Sequence, residues 1–179
     1  LDSGDYPDPA SRSQPDGVHG DSEVLDLSGI EWADDSFTPH DLSSLVIYEL
    51  HVGTFTPGGT FRSAAERLPE LAALGVTAVE VMPVAEFAGS RNWGYDGVYP
   101  YAAQSSYGGP GEFARFVNAA HEAGLTVLLD VVFNHFGPEG NYSSQFGDYT
   151  TSKYTSPWGD AVNFDGPGSD EVRTFFAEC

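Results

Sequence analysis

Gly124-Leu125-Thr126-Val127-Leu128-Leu129-Asp130-Val131-Val132-Phe133-Asn134-His135 is the stretch that decides the fold. A glycine able to close a helix leads into an almost unbroken apolar run. An acid, an amide and an imidazole then fall within six positions. An earlier stretch, Gly75-Val76-Thr77-Ala78-Val79-Glu80-Val81, has the same make-up. Short continuous apolar runs of this kind read as strands covered on both faces, as in a parallel sheet. Between the two, Phe113, Phe116, Val117 and Ala120 form one apolar helix face.

The same reading extends outward in both directions. Val46-Ile47-Tyr48-Glu49-Leu50-His51-Val52 is β-branched and aromatic and runs into Gly53 and the Pro57-Gly58-Gly59 turn, which predicts a first strand. A helix follows. Ser63 and Glu66 have capping-box spacing, Leu68, Leu71 and Ala72 share a face, Pro69 kinks it and Gly75 ends it. Downstream, Ser169-Asp170-Glu171-Val172-Arg173 reads as a helix start with acids in its first turn, and the chain stops inside that helix at Cys179.

Strand and helix therefore alternate up to a long irregular stretch, Phe136 to Gly168, which is the opening of either a doubly wound sheet or a TIM barrel. A complete barrel takes about 200 residues or more, and only three strands are visible. The expectation is an α/β fold that is a partial TIM (β/α) barrel: a fragment. Its predicted organisation is 1–40, loop and linker with one strand candidate at Glu23-Val24-Leu25-Asp26-Leu27; 41–135, three βα units; 136–168, an inserted loop region; and 169–179, the start of the next helix.

Composition narrows the function. Among 179 residues, 27 Asp+Glu stand against 7 Lys+Arg, a formal charge of -20, with 40% hydrophobic and 13% aromatic content. Such an apolar fraction supports a folded chain rather than an acidic disordered tail. One lysine and six arginines give too few cations to replace counterions on nucleic acid or to hold an anionic membrane surface. No apolar run approaches the roughly 18 to 20 residues of a membrane span, and no basic-then-apolar leader opens the chain. Cys179, the one cysteine, excludes an internal disulfide framework.

In parallel α/β folds chemistry sits at the carboxyl ends of strands, here 51–55, 82–101 and 130–135. A strand that buries Asp130 needs a partner for its charge; the bland alternative is a loop-entry Asp with Asn134 bonding backbone and His135 on the surface. Trp93, Tyr95, Tyr99, Tyr101 and Tyr107, interleaved with Gly94, Asp96 and Gly97, suit a carbohydrate cleft, because sugar rings stack on aromatic faces while polar groups bond their hydroxyls. Taken alone, such a loop is more often local packing. The rim-side carboxylates Glu49, Glu80, Glu86, Asp96 and Asp130 form no convincing catalytic pair, and Glu49 and Glu80 read as barrel-interior contacts. Asn134 with Asp148, Asp160, Asn163 or Asp165 offers oxygen donors to a metal, but the spacing matches no calcium loop, so these read as solvated loop acids. There is no phosphate loop, zinc spacing or Gly-x-Ser-x-Gly turn.

The residues resemble a known family. DVVFNH at 130–135 is similar to the first signature region of the alpha-amylase family of glycoside hydrolases. YELHVGTFTPGGTF at 48–61, GVTAVEVMPVAEF at 75–87, NWGYDGVYPYA at 92–102, NHFGPEGNY at 134–142 and PDPASRSQPDGVHG at 7–20 resemble a branch of it that releases trehalose from maltooligosyl trehalose. The resemblance implies that His135 bonds the glucose unit at the cleavage subsite, that Tyr95 stacks under it, and that Trp93 and Asp96 complete the substrate-binding residues. Asp130 supports the site through an arginine on the next strand, and Asn134 holds the loop after the third strand, where many relatives bind calcium. No catalytic residue, no metal ligand and no obligatory cofactor is assigned to this chain, with calcium as an option. It implies an α-glucan or maltooligosyl trehalose partner, no nucleic acid, no membrane, a cytoplasmic location, and a preceding β-sandwich whose end and linker make up 1–40. The family's aspartate nucleophile, glutamate acid/base and third aspartate lie on later strands. A branching or debranching relative, a non-catalytic sugar-binding barrel, and a flavodoxin-like nucleotide binder are the competing readings; the last suffers from the poor anion nest at Thr54-Phe55-Thr56-Pro57.

Overall fold

Tyr48, Val79 and Val127 lie side by side in three parallel strands, and their common register builds the sheet. The structure, a computed structural model, describes residues 4–179, so the first three residues of the 1–40 segment lie outside the described residues. In chain order the elements are β1 (Ile47–Leu50), α1 (Val52–Phe55), α2 (Phe61–Ala65), α3 (Leu68–Ala73), β2 (Ala78–Val81), β3 (Ala85–Glu86), β4 (Tyr99–Ala103), α4 (Gly109–Glu122), β5 (Thr126–Leu129), β6 (Thr150–Ser156), β7 (Gly159–Val162) and α5 (Ser169–Ala177). The parallel sheet has the order β1-β2-β5, and β3-β4 and β6-β7 are separate antiparallel pairs.

The repeated helix stop is a physical repeat. The Gly75 and Gly124 N–H groups donate to Ala72 and His121 at 3.0 and 2.9 Å, and the next residues, Val76 and Leu125, donate to Leu71 and Ala120 at 3.2 and 2.8 Å. Both glycines hold a left-handed φ, 91° and 76°, so each helix ends in a Schellman turn that feeds directly into a strand. The main core lies between the helices and one face of the sheet: Phe61, Leu68, Phe116 and Ala120 pack against Val79, Val81 and Val127. Each fully buried large side chain there contributes about 1.5–3 kcal/mol.

Several expectations are corrected. The sheet is not covered on both faces: the helices share the face of Val79 and Val81. By strand alternation, Glu49, Glu80 and Leu128 lie on the other. The first strand stops at Leu50, because the chain coils at Val52–Phe55, where the Phe55 N–H returns to His51 at 2.9 Å. The 63–75 helix is two helices. Its capping box uses Thr60 as cap and Ser63 as the reciprocal partner, not Ser63 with Glu66. Pro69, in the first turn of α3, explains the break, since it can donate no N–H to the preceding turn. The strand expected through Phe133 ends at Leu129. The Asp130 N–H makes the last rung to Val81 at 3.0 Å, and Pro83, two residues past the end of β2, has no N–H to continue it. Glu23–Leu27 forms no strand: the Glu23 N–H reaches Ser13, Val24 is 97% exposed, and no partner ladder runs alongside.

The 136–168 stretch is not wholly irregular, since it contains the β6-β7 hairpin. Phe136 and Val162 pack there against Val172 and Phe176 of α5. The acids Asp170 and Glu171 occupy the first turn of α5 as expected. Residues 4–41 are turns and extended chain tied to the body at points: Tyr99 donates to the Val18 carbonyl at 2.8 Å, His121 stacks on Phe37 and lies 2.7 Å from Asp34, and the Ala33 N–H reaches Asn118. Among the described residues no helix is long and apolar enough to cross a membrane.

Candidate functional site

At the carboxyl end of β5 the chain leaves the sheet, and Asp130 keeps to the helix-free face by alternation. Its partner is Tyr95, whose hydroxyl donates to Asp130 Oδ2 at 3.3 Å. Glu49 and Glu80 are register neighbours on that face. Partial burial, then the negative charge of Asp130, Glu49 and Glu80, hold the Tyr95 phenol above its usual range. Glu49 and Glu80 within the strands and Asp130 past the end of β5 therefore share one face, with the Tyr95 phenol against Asp130.

His135 is gripped from three sides. Nε2 lies 2.9 Å from the Tyr95 carbonyl, which can only accept, so Nε2 carries a proton. Nδ1 lies 3.0 Å from the Asn134 side chain. Trp158, at the β6-β7 turn, stacks on the imidazole with centroids 4.6 Å apart and 22° between planes. The residue is 6% exposed. Both nitrogens are engaged, so a sugar hydroxyl bonding His135 has to displace one of these protein partners.

The aromatic loop divides. Trp93 and Tyr95 are exposed at the rim, while Tyr99 and Tyr107 are core residues and Tyr101 donates its hydroxyl to the Phe175 carbonyl. Asp96 turns inward to take the Asn92 amide at 2.6 Å. Two glycines let the loop lie flat. A Cβ on Gly94 would stand 1.9 Å from the Pro83 carbonyl oxygen, and one on Gly137 2.0 Å from that of Asp96. His51 anchors the other end, with Nε2 at 2.7 Å from the Asn92 carbonyl and 2.9 Å from the Tyr107 hydroxyl, and Trp93 leans on its ring at 4.9 Å. His51, Asn92 and Trp158 escaped the sequence reading of the site, and Tyr107, read there as a cleft aromatic, is instead a buried residue that holds His51. Only for His51, at the end of a strand, did the chain carry a positional signal.

Glu86 is no rim acid. It is fully buried, and burial, against hydrogen bonds from Ser105, pushes its carboxyl up to about 7. Folding therefore favours the neutral form. Below the unfolded value near 4.5 both states are protonated and the group costs nothing; its stabilising contribution is lost as pH rises through about 7. Glu86→Gln is expected to gain up to about 3 kcal/mol on the wild type between pH 5 and pH 8. Thermal unfolding of both proteins at the two pH values checks this; a constant difference contradicts it.

The proposed calcium donors do not converge. The Asn163 amide is consumed by the Asp148 and Pro167 carbonyls and the Gly166 N–H, Asp165 pairs with Lys153 and Tyr154, and Asn134 faces His135. Among the described residues no group of three or more His, Cys, Asp or Glu is placed to hold a metal. These donors do not fit a calcium cage.

The alpha amylase catalytic-domain profile matches residues 6–160. The chain is 55% identical over 177 residues to malto-oligosyltrehalose trehalohydrolase of Saccharolobus solfataricus, covering 99% of this chain and 31% of that protein. It is 36% identical to a 1,4-alpha-glucan branching enzyme of Bacillus caldolyticus, over 88% of this chain and 26% of the enzyme. A crystal structure of an alpha amylase candidate from Salmonella typhimurium superposes with a TM-score of 0.91 at 48% identity, over 97% of this chain and 29% of that one. A pullulanase from Anoxybacillus sp. LM18-11, solved with maltotriose, gives 0.76 at 25%, over 96% and 30%. The chain spans about a third of the length of the curated relatives it matches.

Proposed function

The chain belongs to the alpha-amylase catalytic-domain family, and from that premise we propose that it is part of a malto-oligosyltrehalose trehalohydrolase. The full-length enzyme hydrolyses the α-1,4 bond next to the trehalose end of a maltooligosyl trehalose and releases trehalose. In this reading 41–135 are the first three βα units of the barrel, 136–168 the loop domain after the third strand, 169–179 the start of the following helix, and 1–40 the end of a preceding β-sandwich and its linker. Two observations support the partial barrel: β5 has a free edge, and beside it runs an apolar groove of about 430 Å³ lined in part by Trp32, Phe113, Val117 and Leu129. Further barrel strands and helices cover both.

The observation that carries the function is the joining of Tyr95, Asp130 and His135 above the strand ends. Asp130 fixes the Tyr95 hydroxyl, and the Tyr95 carbonyl orients His135. This pre-set wall receives the glucose unit at the cleavage subsite, with Trp93 further along the rim, Asp96 turned inward to hold Asn92 beneath it, and Asn134 bracing the His135 loop. The acid-rich face of Glu49, Glu80 and Asp130 calls for a cation from a later strand. The nucleophile and acid/base also come from outside the chain. A carboxylate attacks the anomeric carbon while an acid protonates the leaving oxygen; the conjugate base then activates water, and configuration is retained.

The test gives the full-length protein maltotriosyl trehalose and, separately, amylose. Trehalose from the first, with the new reducing end initially in the α configuration, is the expected result. New α-1,6 branches in amylose without trehalose release make it a branching enzyme instead.

A further inference from the structure

Glu86 lies buried at the foot of the loop that carries Trp93 and Tyr95, and the proposed reaction gives it no task. Its carboxylate accepts two hydrogen bonds from one residue, the Ser105 N–H at 2.5 Å and the Ser105 hydroxyl at 2.9 Å. Ser105 opens a helical turn that ends at Tyr107. The Tyr107 ring is held edge-on by Phe61 and Phe87, so its hydroxyl goes where the turn puts it. That hydroxyl lies 2.9 Å from His51 Nε2 and 3.3 Å from the Asn92 carbonyl. His51 also bonds the Asn92 carbonyl, and Trp93 rests on its ring.

Gln104 fastens the near side of the same loop. Its amide oxygen takes the Phe87 N–H, and its amide nitrogen donates to the Gly89 carbonyl and the Ser106 hydroxyl. Gly53 leaves room for the contact between Tyr107 and His51, since a Cβ there would stand 3.1 Å from the Tyr107 ring. Because burial pushes the Glu86 carboxyl up to about 7, the acid is held at some cost in stability.

We propose that Glu86 is a positioning residue: by holding the Ser105–Tyr107 turn it sets the Tyr107 hydroxyl against His51 and the Asn92 carbonyl, and so fixes the pose of Trp93 at the substrate rim. The effect on turnover rests on the function proposed above; the effect on Trp93 does not.

The experiment labels the full-length protein with fluorotryptophan and follows, by fluorine NMR, the resonance that disappears in Trp93→Phe. Glu86→Ala shifts that resonance by more than its linewidth. It raises KM for maltotriosyl trehalose about fivefold to tenfold while kcat changes less than about twofold. Glu86→Gln restores both, since its amide oxygen accepts the Ser105 N–H and its amide nitrogen can donate to the hydroxyl. Tyr107→Phe, which keeps the ring and removes only the hydroxyl, shifts the same resonance, and it decides alone if Glu86→Ala does not fold. A Trp93 resonance unmoved in Tyr107→Phe and in a folded Glu86→Ala overturns the proposal. A shifted resonance with unchanged KM overturns the link to substrate. If the wild type does not hydrolyse maltotriosyl trehalose, the function falls and the NMR arm still decides the positioning role.

Discussion

Replacing His135 with alanine in the full-length protein is expected to lower kcat/KM for maltotriosyl trehalose about 10²- to 10³-fold. Three losses add up at one point. The Tyr95 carbonyl loses its donor, Trp158 loses the ring it stacks on, and the sugar loses an imidazole that the surrounding protein had already oriented. The sugar takes the place of one of the two protein partners of His135, and the bond so formed strengthens in the oxocarbenium-like transition state. The loss is therefore expected in kcat as well as in KM. Steady-state kinetics alongside a thermal melt separate the site effect from unfolding; a stable variant within threefold of wild type removes His135 from the site.

Gly94→Ala is the substitution with the largest expected cost to the fold, about 3–5 kcal/mol. Its φ of 94° is strained for any side chain, and the new methyl group would stand 1.9 Å from the Pro83 carbonyl oxygen and 2.7 Å from the carbonyl carbon. Backbone atoms cannot swing aside as a flexible side chain can. Gly89 in the same loop supplies the control: its φ is 78°, but nothing lies within 4 Å of the added atom. Gly89→Ala is expected to cost only the left-handed backbone penalty, about 1–2 kcal/mol. Denaturant midpoints of the two variants measure the gap. Equal losses contradict the close-approach argument.

What could be read from the sequence was local. The two helix stops at Gly75 and Gly124 and the strands after them are written in neighbouring residues, and the structure repeats them hydrogen bond for hydrogen bond. An acid at the end of an apolar run marked Asp130 by the cost of an unpaired buried charge, although the residue lies past β5 and is only partly buried. The same logic could not name its partner, since Tyr95 lies 35 residues earlier. The β3-β4 pair escaped because a strand as short as Ala85–Glu86 has no periodicity. The β6-β7 pair escaped because Thr150–Ser156 is mostly exposed and polar, with no buried face to leave a pattern. Trp158 was hidden with it, its role visible only when the hairpin folds back on His135. Glu86 was misread as a rim residue because position after a strand says nothing about which way a hairpin turns its side chain.

The account's central claim is that this chain supplies the substrate wall of a trehalose-releasing hydrolase whose catalytic carboxylates lie elsewhere in the protein. The most direct measurement is trehalose release from maltotriosyl trehalose by the full-length protein and by the isolated 179-residue chain, side by side at equal concentration. The account predicts release by the first and none by the second. Trehalose formed by the isolated chain, or none formed by either, contradicts it.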